Sequence, residues 1–213
     1  MRTLLRVRTC LLVGLVAVCA ACATPRNRTL YFGLERLPNP DPARTTCTLE
    51  VVDRREFSEH LADASLPSVG QAAGEIPRSR IYGRKWNANG EPTGNVLLNE
   101  PITMEQMIGE ALANGLRESG IAVVPRQGEG ATELDVEILR GWGWSIENPL
   151  WSKTHFDVKV RVRGPFAPFR GEGLTFEARG EQTGGNAASW SWFSSMNQGL
   201  LSLRRQIEEA TAP

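Results

Sequence analysis

The chain has 213 residues, with 24 Lys and Arg balanced by 24 Asp and Glu. That balance offers no basic excess for nucleic acid or an anionic lipid surface, and the length suits one domain with a short appendage. The charge-free apolar run from Leu11 to Ala21 is about half of the ~20 residues that a membrane-spanning helix needs, so a spanning segment is excluded there.

Arg2, Arg6 and Arg8 precede that short apolar run, and small residues follow it, which together describe an export signal over residues 1–21. Cys19 and Cys22 have redox spacing, but a reactive pair belongs at the start of a folded helix, not in a segment removed on export. Two processing outcomes remain. In the first, Cys22 is itself the processed residue and carries a modification. In the second, the small-residue site Ala21-Cys22-Ala23 is cleaved in the ordinary way and releases a soluble periplasmic protein. Removing residues 1–21 takes away three Arg and no acid, which leaves 21 basic residues against 24 acidic. Cys10 and Cys19 leave with the signal, and a modified Cys22 leaves Cys47 without a disulfide partner. An unmodified Cys22 would make a Cys22–Cys47 bridge available.

Residues 22–46 are polar and carry Pro38, Pro40 and Pro42, which favour extended backbone. They read as a flexible tether ahead of a domain at 47–211. Cys47, Leu49 and Val51 alternate, so a first strand with one buried face begins there and ends in Val51-Val52-Asp53-Arg54-Arg55-Glu56. Residues 56–78 lose the pattern and read as a loop. Asn89-Gly90 between strand-like flanks signals a hairpin.

A helix follows. Thr103 and Gln106 have capping-box spacing, and Ile102 is placed to staple onto Met107. Met107, Ile108, Ala111, Leu112 and Leu116 form one stripe, and Gly120 is the stop. Gly109 and Gly115 each cost about 1 kcal/mol relative to Ala, so this helix needs a docked position, expected to be against a sheet. After Ile121-Ala122-Val123-Val124, a short buried strand, come three alternating segments. The first places Leu134, Val136, Ile138, Trp142, Trp144 and Ile146 on one face. The second points Phe156, Val158, Val160 and Val162 inward and Lys159, Arg161 and Arg163 outward. The third turns Leu174, Phe176 and Ala178 inward. Outward Glu133, Asp135 and Glu137 on one side of the basic strand, with Glu177 and Glu181 on the other, favour a meander with that strand in the middle. A last helix carries Phe193, Met196, Leu200, Leu203 and Ile207. The expected fold is a single α+β domain, a mostly antiparallel sheet with two helices on one face.

The stretch Val18-Cys19-Ala20-Ala21-Cys22 resembles the lipobox of bacterial lipoproteins, although Cys19 stands where that pattern prefers Leu. The resemblance implies a diacylglycerol on the Cys22 sulfur and, because Ala23 rather than Asp follows, the outer membrane. Together with the strand ending Val51–Glu56, the excursion around Asn89-Gly90 and the helix closing into Ile121, it makes the chain similar to the YajG-like family of small bacterial lipoproteins. The family implies an envelope lipoprotein with no established enzymatic activity and no assigned catalytic residues. A rival resemblance is to auxiliary lipoproteins of lipid-transport ABC systems.

For chemistry, the sequence contains no nucleophile elbow, phosphate loop or dinucleotide fingerprint. Glu56, His60 and Asp63 would share a face of one helical turn, but a solvated polar face explains them equally. His155 has no evident acid partner, and Cys47 is an inward strand residue suited to a core. Trp142, Trp144, Trp190 and Trp192 are either core filling beneath the last helix or a glycan- or lipid-binding cluster, for which the glycines flanking Trp142 would leave room. The expectation is a non-enzymatic lipoprotein, without metal or cofactor, held to the membrane by Cys22 and binding an envelope protein.

Overall fold

The computed structural model describes residues 27–31, 33–58, 63–68, 76–125, 130–148, 150–185 and 189–212. Among the described residues, eight strands and two α-helices form the domain: β1 (Arg28–Leu30), β2 (Thr45–Asp53), β3 (Ile81–Asn87), β4 (Pro92–Leu98), α1 (Met104–Glu118), β5 (Ile121–Val123), β6 (Thr132–Glu147), β7 (Ser152–Arg163), β8 (Leu174–Gly184) and α2 (Ser189–Thr211). The expected α+β class holds, with both helices on one sheet face around the main core.

The sheet is mixed and open. Its longest ladders, β6–β7 and β7–β8, are antiparallel and form the expected meander with the basic strand in the middle. Because β7 covers one edge of β6, the other edge is divided between two partners. The first half of β6 pairs in parallel with β2, from Cys47 opposite Thr132 to Asp53 opposite Ile138. The second half pairs in parallel with β3, from Gly83 opposite Gly143 to Asn87 opposite Glu147. Beyond β2 lies β5, and beyond β3 lie β4 and then β1.

Each helix forms for reasons written locally and persists through packing. Thr103 caps α1 and exchanges both bonds of the capping box with Gln106. Gly109 lies over Val51 of β2, where an added Cβ would come within 3.1 Å of Cγ2. Gly115 does not face the sheet as expected; a Cβ there would lie 2.6 Å from the Arg204 carbonyl oxygen of α2. The two helices therefore cross at backbone distance, with Glu118 and Arg204 paired beside the crossing. On α2, Trp192, Met196, Leu203 and Ile207 are buried, and its small residues lie against β8: a Cβ on Gly180 would sit 1.7 Å from the Ser195 carbonyl oxygen.

One local feature overturns the expected face of β6. Its register against β7 shifts between Ile138 and Arg140, leaving Leu139 as an extra residue, and a bulge of one residue moves every later side chain to the opposite face. Leu134, Val136 and Ile138 stay in the main core beneath the helices. Trp142 and Trp144 instead form a second core on the far face with Ile81, Trp86 and Leu97.

The segment read as a tether is also largely part of the domain. β1 pairs in parallel with β4, and Leu30 is fully buried. Residues 33–44 pass along α1 without regular structure, and Asn114 accepts a hydrogen bond from the Leu37 amide at 3.0 Å and donates to the Glu35 carbonyl at 2.8 Å. Asn114 and its neighbours give that segment a surface to bind.

Candidate functional surfaces

Where β6 changes partner, a gap opens between the end of β2 and the start of β3, and Arg55 fills it. Its side chain is fully buried. Nη1 donates to the Ile81 and Gly141 carbonyls, each at 2.8 Å, and Nη2 donates to the Arg78 carbonyl at 2.8 Å. Asp53 completes the site as a carboxylate partner at 2.7 Å. Five fixed donors on a planar head suit such a multi-carbonyl junction, which a single ammonium could not satisfy. Asp53 and Arg55, two of the four charges in Val51–Glu56, thus have an architectural role.

The second core lies next to this junction. Phe57 meets Trp142 edge-on at 6.3 Å between ring centroids, and the Arg55 guanidinium lies over Phe57 at 4.9 Å. The Trp142 indole donates to the Ala64 carbonyl at 2.9 Å. The described parts of the 56–78 excursion therefore cover the far face of the sheet. The glycines flanking Trp142 do not open space above its ring. They admit neighbours on the other face, where a Cβ on Gly141 would strike Met104 and one on Gly143 would strike Tyr82.

The four tryptophans, read as either core filling beneath the last helix or one binding cluster, are consequently dispersed. Trp142 and Trp144 lie on the far face. Trp192 is fully buried beside Tyr82 in the main core, with 5.8 Å between ring centroids. Trp190 is half exposed and lies over Gly184. A shared glycan or lipid platform on those four rings is ruled out by this arrangement.

The outer face of the meander carries the charges as read. Glu137 pairs with Arg163 at 2.7 Å, Lys159 pairs with Glu177, and the buried Asp157 holds Arg179 at 2.6 Å. His155, expected to lack an acid, has one: its Nδ1 is 3.2 Å from Glu181. The ring stacks on Trp144 at 4.7 Å. Burial lowers the His155 pKa, outweighing the upward pull of Glu181, so the neutral imidazole is favoured.

The remaining expected residues are placed as follows. Cys47 is fully buried, and burial pushes its thiol up to about 11, the condition of an unreactive core residue. Asp63 is exposed and caps Ser65 at 2.8 Å, while Glu56 is exposed. Cys22 and His60 lie outside the described residues.

Two surfaces were missed by sequence reasoning. The first is a groove of about 400 Å³ between α1 and α2, bordered by Leu34, Met107, Phe193, Leu200 and Arg204. Here Glu110 of α1 holds the 33–44 segment, a strap across the helix, through Arg36 at 3.1 Å and also binds Arg117 of its own helix at 2.5 Å. Burial alone would raise the Glu110 pKa, but these two guanidinium partners bring it below the ordinary value. The second is the turn joining β6 to β7, where Leu150 is 87% exposed and Trp151 46%. Adjacent apolar residues in an otherwise polar turn were the available sign.

No family model and no curated protein matches the chain. Among solved structures, an uncharacterised protein is similar at 10% identity, covering 87% of this chain and 95% of its own, with a TM-score of 0.33. A protein of the DUF330 family from Xanthomonas campestris is similar at 12% identity, covering 85% of this chain and 92% of its own, with a TM-score of 0.43. A candidate lipoprotein from Caulobacter crescentus CB15 is similar at 15% identity, covering 48% of this chain and 72% of its own, with a TM-score of 0.24.

Proposed function

We propose that the protein is a non-enzymatic envelope lipoprotein, acylated at Cys22, whose α+β domain holds a protein partner near the membrane. The carrying observation is a juxtaposition. The lipobox-like cysteine stands only five residues ahead of Asn27, and β1 follows at once as an integral strand of the sheet. An acyl anchor at that position keeps the whole domain at a bilayer surface, because five residues span at most about 18 Å when fully extended.

The chemistry of the domain supports a binding role. Buried charges serve structure, among them Arg55 at the strand junction, Arg84 bonded to Asn95 and Asp157 within the meander. The finer readings belong to this proposal as well: kinship with YajG-like lipoproteins, residence in the outer membrane as Ala23 suggests, and a single diacyl anchor. Purification of the intact chain from detergent-solubilised envelopes tests the partner. A stoichiometric co-purifying protein is the expected result, and a protein recovered alone at every detergent and salt condition contradicts it.

A further inference from the structure

Among the described residues, the β6–β7 turn carries the most exposed apolar side chains at its end of the sheet. Leu150 is 87% exposed, Trp151 46% and Ile146 37%, and Trp190 at the start of α2 adds a second indole at 50%. The register places these residues at one end of the sheet, Ile146 on the far face with Trp144 and Trp190 on the helix face over Gly184. Ile146 is opposite Lys153 and Glu147 opposite Ser152, while Ser152 pairs with Gly184, whose missing side chain is replaced by the Trp190 ring. Soluble surfaces scatter single apolar residues, and a concentrated group marks a contact.

The chain direction at the amino terminus indicates what is contacted. β1 runs parallel to β4, which is antiparallel to β3, which is parallel to β6. β1 therefore begins at the end of the sheet that carries this turn. The Asn27 side chain accepts from the Asn95 amide at 3.3 Å. Asn95 is level with Arg84, and Arg84 with Trp144. Arg28 also bonds Ser189, at 2.7 Å, beside Trp190. From the level of Trp144, four strand residues reach the turn, about 13 Å at 3.2–3.4 Å per residue. Cys22 lies up to about 18 Å from Asn27, so an anchor at Cys22 and the tip of the turn can meet one plane.

We infer that the β6–β7 turn seats on the bilayer that receives the Cys22 anchor, with Trp151, Leu150 and Trp190 in the headgroup layer. This rests on the lipoprotein reading above. Tryptophan is the side chain that favours this layer, because its ring is apolar and its N–H keeps a polar partner. The seat adds a second membrane contact to the acyl chains and fixes which end of the domain faces away from the bilayer, leaving the opposite end for a partner.

The test uses the exported full-length product in phosphatidylethanolamine–phosphatidylglycerol vesicles with and without brominated phospholipid, reading tryptophan fluorescence. Acyl mass on the same preparation is measured separately. The expected result is quenching in the parent that is mostly lost in Trp151→Phe/Trp190→Phe, with circular dichroism unchanged because both side chains are exposed. Leu150→Ser should reduce it further in the parent background. Acylated protein that floats with the vesicles but shows no quenching overturns the seat and leaves the anchor intact. If no acyl mass is found, the anchor reading fails by itself. A chain produced to begin at Cys22 and coupled there to a maleimide lipid in the same vesicles then decides the seat: quenching supports it, and none overturns it. Quenching unaltered by the variants also overturns it, as would protection of Trp151 and Trp190 by a co-purified protein in place of lipid.

Discussion

The Arg55 guanidinium donates to the Gly141 carbonyl at 2.8 Å at the point where β6 passes from one parallel partner to the other. Together with its bonds to Ile81 and Arg78, this contact closes a junction that the strand ladders leave open. Removing it strands Asp53 and three carbonyl groups. Arg55→Met should lower stability by about 3–5 kcal/mol, the range for breaking a buried ion pair by deleting one partner. Arg55→Lys should recover little, since one ammonium cannot reproduce the planar fork. Urea unfolding of the three proteins measures the difference.

The contact between β8 and α2 predicts a sharp contrast between two glycines. A methyl group at Gly180 would lie 1.7 Å from the Ser195 carbonyl oxygen, whereas one at Gly185 meets nothing within 4 Å. Gly180→Ala should cost at least the ~1–3 kcal/mol typical of overpacking, because backbone and not a flexible side chain must move. Gly185→Ala should leave the thermal midpoint within the scatter of surface substitutions. Differential scanning calorimetry compares the two.

Much of this architecture is legible in the residues, for local reasons. The capping box at Thr103 and Gln106, the alternation through Phe156 to Val162 and the acidic–basic–acidic order of the meander are local patterns, and the structure keeps all three. The β6 face was misread because Leu134 to Trp144 continues to look periodic straight through the bulge. The Ile138-Leu139 doublet is its visible sign, and nothing nearby tells whether a doublet is a bulge or an exposed apolar residue. Parallel pairing of β2 and β3 on one edge of β6 joins residues far apart in the chain, so periodicity carries no record of it. Asn114 did break the apolar face of α1, but its partners Glu35 and Leu37 lie more than seventy residues earlier.

Asn114 accordingly gives a test of the strap. Asn114→Ala removes the bonds to Leu37 and Glu35 and leaves the buried Arg117 with one fewer partner. A loss of about 1–3 kcal/mol is expected from such unsatisfied groups. Limited proteolysis should then cut within residues 33–44 well before the rest of the domain. Cleavage no faster than in the parent protein would show that the strap is held by other contacts.

The His155 site predicts a pH dependence with a definite sign. Burial lowers its pKa in the folded protein below the unfolded value of about 6.5. The unfolded chain then binds more protons in the window beneath 6.5, so this contribution to stability is complete above that value and is lost as the pH falls. His155→Gln should flatten that part of the stability profile, and the parent should lose its thermal midpoint more steeply between about pH 6.5 and 5. Parallel profiles for the two proteins would show that the ring titrates freely.

Mass spectrometry of the amino-terminal peptide from the exported protein tests the central claim most directly. The account predicts a mature chain beginning at Cys22 that carries a diacylglycerol thioether, abolished by Cys22→Ala. A water-soluble chain beginning at Thr24, with no acyl mass, would contradict it.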